Sequence, residues 1–246
     1  MIWRVEHLKE IDSTNSWLVE RANAGADQGL VVFADFQSAG RGRLDRRWQA
    51  PVRSSLLCSF LLRPNIDVDQ LQLVVGAVAL STRAALVRLC GLRPALKWPN
   101  DLVVGDSKLA GLLAEVVTTG EGFAIIVGLG LNLTDSPTDV PSTSVLSDTG
   151  ITLSPRGLLD ILLEELEGRY VQLETLEGRA VLHLEYERAL VTVGQRVRVE
   201  RLDDVVEGDV IGIDQCGRLM VDVDGVEMTF STGDVVHLRA PHGASS

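Results

Sequence analysis

Three short stretches combine residue types suited to a charged, oxygen-rich ligand. Residues 37–48 read QSAGRGRLDRRW and set Arg41, Arg43, Arg46 and Arg47 against a single Asp45, a local positive excess in a chain of net charge −11. Arginine presents planar paired donors that match phosphate and carboxylate oxygens, and Gly40 and Gly42 let a backbone come close to a ligand. Residues 97–101 read KWPND and are followed by Lys108 and Gly111; the chain has three lysines, and two of them flank this one bend. Pro99 fits a central strand poorly, so the chain should turn there and present Asn100 and Asp101 at a strand end. Residues 128–132, GLGLN, end an apolar run on Asn132 but lack the third glycine and following helix of a dinucleotide fingerprint. Each block also has a purely structural reading: a solvated basic loop, a strand-end lysine, a glycine pair for tight strand packing.

Other chemistry loses support. No P-loop, H-E-x-x-H or G-x-S-x-G motif occurs, and His7, His183, His237 and His242 are scattered. An acidic chain lacks the general phosphate attraction of nucleic-acid binders. The longest apolar stretches, near 71–80 and 124–133, are too short to span a bilayer. Cys58, Cys90 and Cys216 are odd in number and far apart, which reads as core thiols in a reducing, cytoplasmic compartment.

Stepwise along the chain, Ser13 or Thr14 caps a short helix with Trp17, Leu18 and Ala22 on one side. Strands are expected at 30–36 and 55–62, with the arginine-rich 37–53 as a long loop between them. A helix over 69–90 follows, then strands at 96–98, 101–104, 108–117 and 123–131, with a reversal at Gly105-Asp106. The Ser/Thr/Pro/Asp-rich 134–150 reads as a mobile loop, and Ser154-Pro155 starts a helix whose face carries Leu158, Leu159, Leu162, Leu166 and Tyr170. From Val191 short Val-rich runs broken by glycines suggest a small β-barrel, with a boundary near 190 and a disordered tail at 241–246. The fold class is α+β: a mixed, largely antiparallel sheet with packed helices over 1–190, and a small β domain over 191–246.

In order, DSTN at 12–15, GRGRLDRRW at 40–48, KWPNDL with Lys108 and Gly111, and GLGLN at 128–132 resemble the four signature blocks of biotin protein ligases, and the resemblance covers essentially the whole chain. It implies a class II synthetase-like catalytic domain with an SH3-like C-terminal domain. It implies biotin activation with ATP and Mg²⁺ to biotinyl-5′-AMP, then transfer to a lysine of a biotin carboxyl carrier protein domain of acetyl-CoA or a related carboxylase. By the same resemblance Arg43 and Lys108 are catalytic. Ser13, Thr14, Asn15, Gln37, Arg41, Gly42, Arg43, Lys108 and Gly111 meet biotin, the first four at its urea. Gly40, Arg41, Arg43, Arg46, Trp48, Lys97, Asn100, Lys108 and Asn132 meet the nucleotide, with Mg²⁺ on the Asn100 or Asn132 side. Residues 41–48 and 134–146 are expected to order over the water-sensitive adenylate. Two departures stand out: Asp45 replaces a glycine common in the family, and no helix-turn-helix precedes the blocks, so neither a DNA partner nor a membrane is expected. The rivals are a lipoate or octanoate ligase or transferase of the same fold, and a non-catalytic biotin-binding module.

Overall fold

The computed structural model describes residues 2–238 except 45, 121, 139, 202 and 203. In chain order the elements are β1 (Arg4–Leu8), α1 (Thr14–Asn23), β2 (Leu30–Ala34), β3 (Ser55–Leu62), α2 (Leu71–Cys90), β4 (Ala95–Lys97), β5 (Asp101–Val104), β6 (Ser107–Thr119), β7 (Gly122–Asn132), α3 (Val145–Thr149), α4 (Pro155–Leu173), α5 (Leu176–Ala189), and then β8 (Arg196–Glu200), β9 (Val205–Ile213), β10 (Leu219–Val223), β11 (Val226–Phe230) and β12 (Asp234–His237). The first seven strands form one sheet, ordered β1-β2-β3-β7-β6-β5-β4. Only β1 and β2 pair parallel; every other neighbour is antiparallel. The last five strands form a second, antiparallel sheet ordered β11-β10-β9-β8-β12.

Strand alternation divides the first sheet into two unlike faces. Cys58, Phe60 and Leu62 of β3 and Ile125, Val127 and Leu129 of β7 join Val74, Val78, Leu159, Leu162 and Tyr186 in the main core beneath α2, α4 and α5. The opposite face carries Leu61, Ile126 and Val117, covered by Leu18 and Ala22 of α1. Because α1 is only ten residues long, it covers part of that face, and the loop between β2 and β3 lies over glycines of the remainder. Val197, Val199, Leu219, Val221 and Phe230 of the second sheet belong to the same apolar cluster as the main core, so one continuous core runs through both parts of the chain.

Local signals explain most element ends. Ser13 caps α1 by accepting from the Ser16 N–H, Ser154 does the same for α4 from Gly157 with Pro155 in its first turn, and Gly91 at φ 71° ends α2. Five expectations need correction. The 134–150 stretch is not featureless: it contains α3, with Ser144 as cap and Val145 fully buried, and it bonds to β6 through Lys108 N–H to Pro141 O (3.0 Å) and Thr143 N–H to Lys108 O (2.9 Å). Its serines and threonines are caps and sheet partners, which composition alone reads as loop. Only Cys58 is a core thiol, its pKa raised by burial; Cys90 and Cys216 are partly exposed. Val68–Cys90 is long and apolar enough to cross a membrane, which counting uninterrupted apolar residues understated, yet most of it is buried against the sheet and α4. Strand β2 stops at Ala34, and Trp98 lies in the turn after β4 rather than in the strand. The sequence pattern also passed over β1, a charged edge strand, and α5, whose apolar residues are few. The expected disordered tail at 241–246 and the Asp45 departure both lie outside the described residues.

Candidate functional site

The site lies on the α1 side of the sheet and begins with buried neutral groups. Thr14, Asn15 and Ser59 are 3%, 3% and 0% exposed. Gln37, at the base of the loop, accepts from the Thr14 N–H (2.7 Å) and hydroxyl (2.9 Å) through one carboxamide oxygen. Ser59 from β3 reaches both the Thr14 hydroxyl (2.7 Å) and Asn15 Oδ1 (2.6 Å). Asn15 Nδ2 donates to Leu113 O (3.2 Å) and Glu115 (2.7 Å) on β6. Both of those partners are acceptors, so the amide is fixed with its oxygen toward Ser59. Three oxygen–oxygen contacts among Gln37, Thr14, Ser59 and Asn15 share two hydroxyl protons. The pocket is therefore rich in acceptors and suits a ligand that brings N–H donors. Ser13 supplies the complement: its oxygen accepts from Ser16, which leaves its hydroxyl proton for a ligand carbonyl.

The glycines of GLGLN make room. Register places Ser59, Gly128 and Leu113 side by side, and Leu57, Gly130 and Gly111 in the next row of that face. A Cβ on Gly128 would lie 2.2 Å from Asn15 Oδ1, and one on Gly130 would lie 2.4 Å from the Trp48 ring. Neither glycine serves close strand packing; each clears space for a side chain crossing the sheet.

The arginine loop folds back on itself. Gly42 N–H bonds Arg46 O (2.7 Å), Trp48 N–H bonds Gly40 O (3.0 Å), and Arg41 and Arg47 form a bridge. A Cβ on Gly40 would lie 2.4 Å from Trp48 O, so this crossing requires glycine. At the tip Arg43 donates to Asn100 Oδ1 (3.2 Å), Thr232 Oγ1 (3.0 Å) and Gly233 O (3.3 Å), while Arg46 pairs with Asp234. Burial lowers the Arg43 guanidinium from its ordinary pKa, Asp234 and Asp101 raise it again, and it remains a cation at neutral pH. Arg41 pairs with Glu115 at 2.9 Å.

Lys108 completes the cationic end. Its ammonium meets Asp101 Oδ1 at 2.6 Å and lies 5.8 Å from the Trp48 ring centroid. A register shift between β5 and β6, with Val103 opposite Lys108 and Leu102 opposite Ala110, inserts one extra residue. The bulge puts Lys108 and Gly111 on one face: a Cβ on Gly111 would touch the Lys108 side chain at 3.0 Å. The Trp48 indole N–H is buried and has no partner among the described residues.

Asn100 is committed at both ends, accepting from Arg43 and donating to Leu112 O at 2.5 Å. Asn132, 2% exposed, donates to Thr143 O (3.0 Å). Lys97 stands opposite Asp101 across β4–β5 but makes no ion pair among the described residues; it acts instead on His237, whose pKa is lowered first by burial and then by this ammonium. Sequence reasoning missed Ser59, Glu115 and the second-sheet residues Thr232, Gly233 and Asp234. Ser59 and Glu115 carried a signal, each a polar residue within an apolar strand; the other three carried none. The bend at 98–100 is held by Trp98, whose indole N–H donates to Gly217 O (3.0 Å) and whose backbone N–H donates to Thr192 (3.1 Å).

The model of the biotin/lipoate A/B protein ligase family matches residues 8–132, and that of the biotin protein ligase C-terminal domain matches residues 192–238. The biotin–[acetyl-CoA-carboxylase] ligase of Mycobacterium tuberculosis is 39% identical over 248 residues, covering 96% of this chain and 90% of that protein. The bifunctional ligase/repressor BirA of Escherichia coli is 31% identical over 238 residues, covering 93% and 72%. The solved biotin protein ligase from Aquifex aeolicus in complex with biotin and ATP superposes with a TM-score of 0.82 at 26% identity, covering 97% of this chain and all of that one.

Proposed function

The chain belongs to the biotin/lipoate A/B protein ligase family, and from that premise we propose how its own residues carry out the family's chemistry. It joins biotin to a carboxylase carrier protein at the expense of ATP. A biotin carboxylate oxygen attacks the α-phosphorus, the bond to the β-phosphate oxygen breaks, and pyrophosphate leaves. The deprotonated amine of a carrier lysine then attacks the carbonyl of the mixed anhydride, forming an amide and releasing AMP.

The observation that carries this reading is the pairing of a neutral, acceptor-rich pocket with a cationic cluster across the same two rows of the sheet. A urea brings two N–H donors and one carbonyl, which fits Asn15 Oδ1, Thr14, Ser59 and the free proton of Ser13; leaving such groups unpaired costs about 1–3 kcal/mol each. Trp48, seated directly on Gly130 and beside Gly111, gives the acyl chain an aromatic wall along its path toward Lys108. There Lys108 and Arg43 counter the charge that builds on the carboxylate and α-phosphate oxygens. Arg41 and Arg46 assist the phosphates, and the unpaired Trp48 N–H finds an oxygen acceptor. The nucleophile of the second step arrives with the partner, so the ligase contributes positioning rather than an activated side chain.

No cluster of three His, Cys, Asp or Glu occurs among the described residues. The donor set fits Mg²⁺ only as a companion of the ATP phosphates. Asn132, whose amide nitrogen is the atom bonded to Thr143, would hold it better than Asn100, whose oxygen already accepts from Arg43. Bound there it would neutralise part of the phosphate charge. We assign residues 1–190 to catalysis and 191–246 to a second unit that braces the arginine loop through Thr232 and Asp234, and we place the enzyme in the cytoplasm with its carrier partner.

Biotin-dependent ATP–pyrophosphate exchange tests the reading, with calorimetric titration of biotin against lipoate. Exchange with biotin and tighter binding of biotin than lipoate are expected. Absence of exchange alongside retained biotin binding would make the chain a binding module instead.

A further inference from the structure

Glu115 joins the two halves of the site, and no step above uses it. It lies on β6 opposite Ile126, two residues beyond Leu113, on the face that carries the pocket. One carboxylate oxygen accepts from Asn15 Nδ2 at 2.7 Å; Arg41 Nη1 lies 2.9 Å from the other and 3.2 Å from the first. The pair is graded in exposure, the Glu115 side chain at 24% and Arg41 at 49%, so the link runs from the pocket wall outward to the loop.

We propose that Glu115 is a positioning residue that fastens the arginine loop to the biotin pocket, an inference that rests on the biotin reading above. The argument is one of donors and acceptors. Asn15 and Arg41 both offer N–H groups, and a carboxylate has two oxygens and no proton, so it serves both at once. With Leu113 O it also fixes the Asn15 amide, because turning the amide over would set its oxygen against two acceptors. Asn15 therefore presents the ligand with an acceptor. A glutamine at this position keeps the shape but has one oxygen, and its NH₂ faces a donor on either side. Glu115→Gln thus sets a donor against Arg41 at the shorter, 2.9 Å contact, keeps only the longer 3.2 Å one through the oxygen shared with Asn15, and leaves Arg41 without a counter-charge near the pocket.

The test has two readouts. Biotin is first titrated calorimetrically, without ATP, into wild type, Glu115→Gln, Arg41→Gln and the double variant. The same proteins are then held at saturating biotin and treated with trypsin, which cuts after Arg41, Arg43, Arg46 and Arg47. In wild type, biotin should slow loop cleavage. Glu115→Gln should bind biotin weaker by roughly 3–10-fold and stay rapidly cut even when saturated, and the double variant should bind no worse than the weaker single. A pocket defect alone would lower affinity but leave protection intact at saturation. Full protection of saturated Glu115→Gln, or losses that multiply in the double variant, overturns the proposal. Wild type that does not bind biotin overturns the functional reading and this one with it. If Glu115→Gln melts well below wild type, Arg41→Gln severs the same link from the exposed side and is read in the same protection assay.

Discussion

The pocket around Thr14, Asn15 and Ser59 and the cationic end around Arg43 and Lys108 share one sheet face but are built on opposite principles. In the pocket the polar groups are almost completely buried and bond to one another and to strand backbone. Their geometry is set by packing before any ligand arrives. At the cationic end the side chains are half-exposed, and each is held by an acidic or neutral acceptor: Arg41 by Glu115, Lys108 by Asp101, Arg46 by Asp234, Arg43 by Asn100 and Thr232. The difference follows from the groups to be recognised. A neutral urea is selected by matched hydrogen bonds, which are worth most where water is excluded. Phosphates arrive with charge and water, so their partners must stay cationic and exchangeable. Carboxylates hold them in place at modest cost, because exposed ion pairs contribute about 1 kcal/mol or less.

Variants can break this contrast. The largest effect is expected for Arg43→Ala: pyrophosphate exchange should fall about 10²–10³-fold while the biotin dissociation constant stays within about threefold. An equal loss in both would mean that the two halves are one unit. Next, Gly128→Ala places a methyl group 2.2 Å from Asn15 Oδ1, and calorimetry should show biotin binding weakened by about 10–100-fold with the KM for ATP unchanged. A smaller change would show that the pocket wall yields. Asp234→Asn removes the half-buried counter-ion of the exposed Arg46 and should raise the KM for ATP about twofold, a difference that disappears at high salt.

The smallest effect concerns His237, on the strand that also carries Asp234. Burial and then Lys97 depress its folded pKa below the ordinary 6.5. The unfolded chain therefore binds the proton first, and this contribution to stability is fully present above pH 6.5 and is lost as pH falls through that value toward the folded pKa. Melting temperature should drop between pH 7 and pH 5 more steeply in wild type than in His237→Asn.

Much of this was legible in the residues. Ser13 or Thr14 announced a cap, which fell to Ser13, Pro155 its helix, Gly105-Asp106 its turn, and the four blocks appeared in order because each needs particular residue types locally: glycine where chain crosses chain, arginine where oxygens gather. Glu115 and Ser59 were harder to find, since a polar residue in a strand reads equally as solvent-facing until the sheet shows which row it joins. Residues 134–150 misled because serine and threonine serve loops, caps and sheet partners alike.

The sequence by itself determined the inventory: which side chains carry charge, where the backbone turns, and that a strand-rich core supports them, all consequences of single residues and their near neighbours. Only the tertiary structure decided which of them meet. In a regular strand Lys108 and Gly111, three residues apart, would face opposite ways; one bulged residue puts them together. Arg43 and Thr232 are separated by 189 positions and share a hydrogen bond because the second sheet shares one apolar core with the first part of the chain. Such contacts depend on how apolar faces far apart in the chain find one another, and no local spacing encodes that.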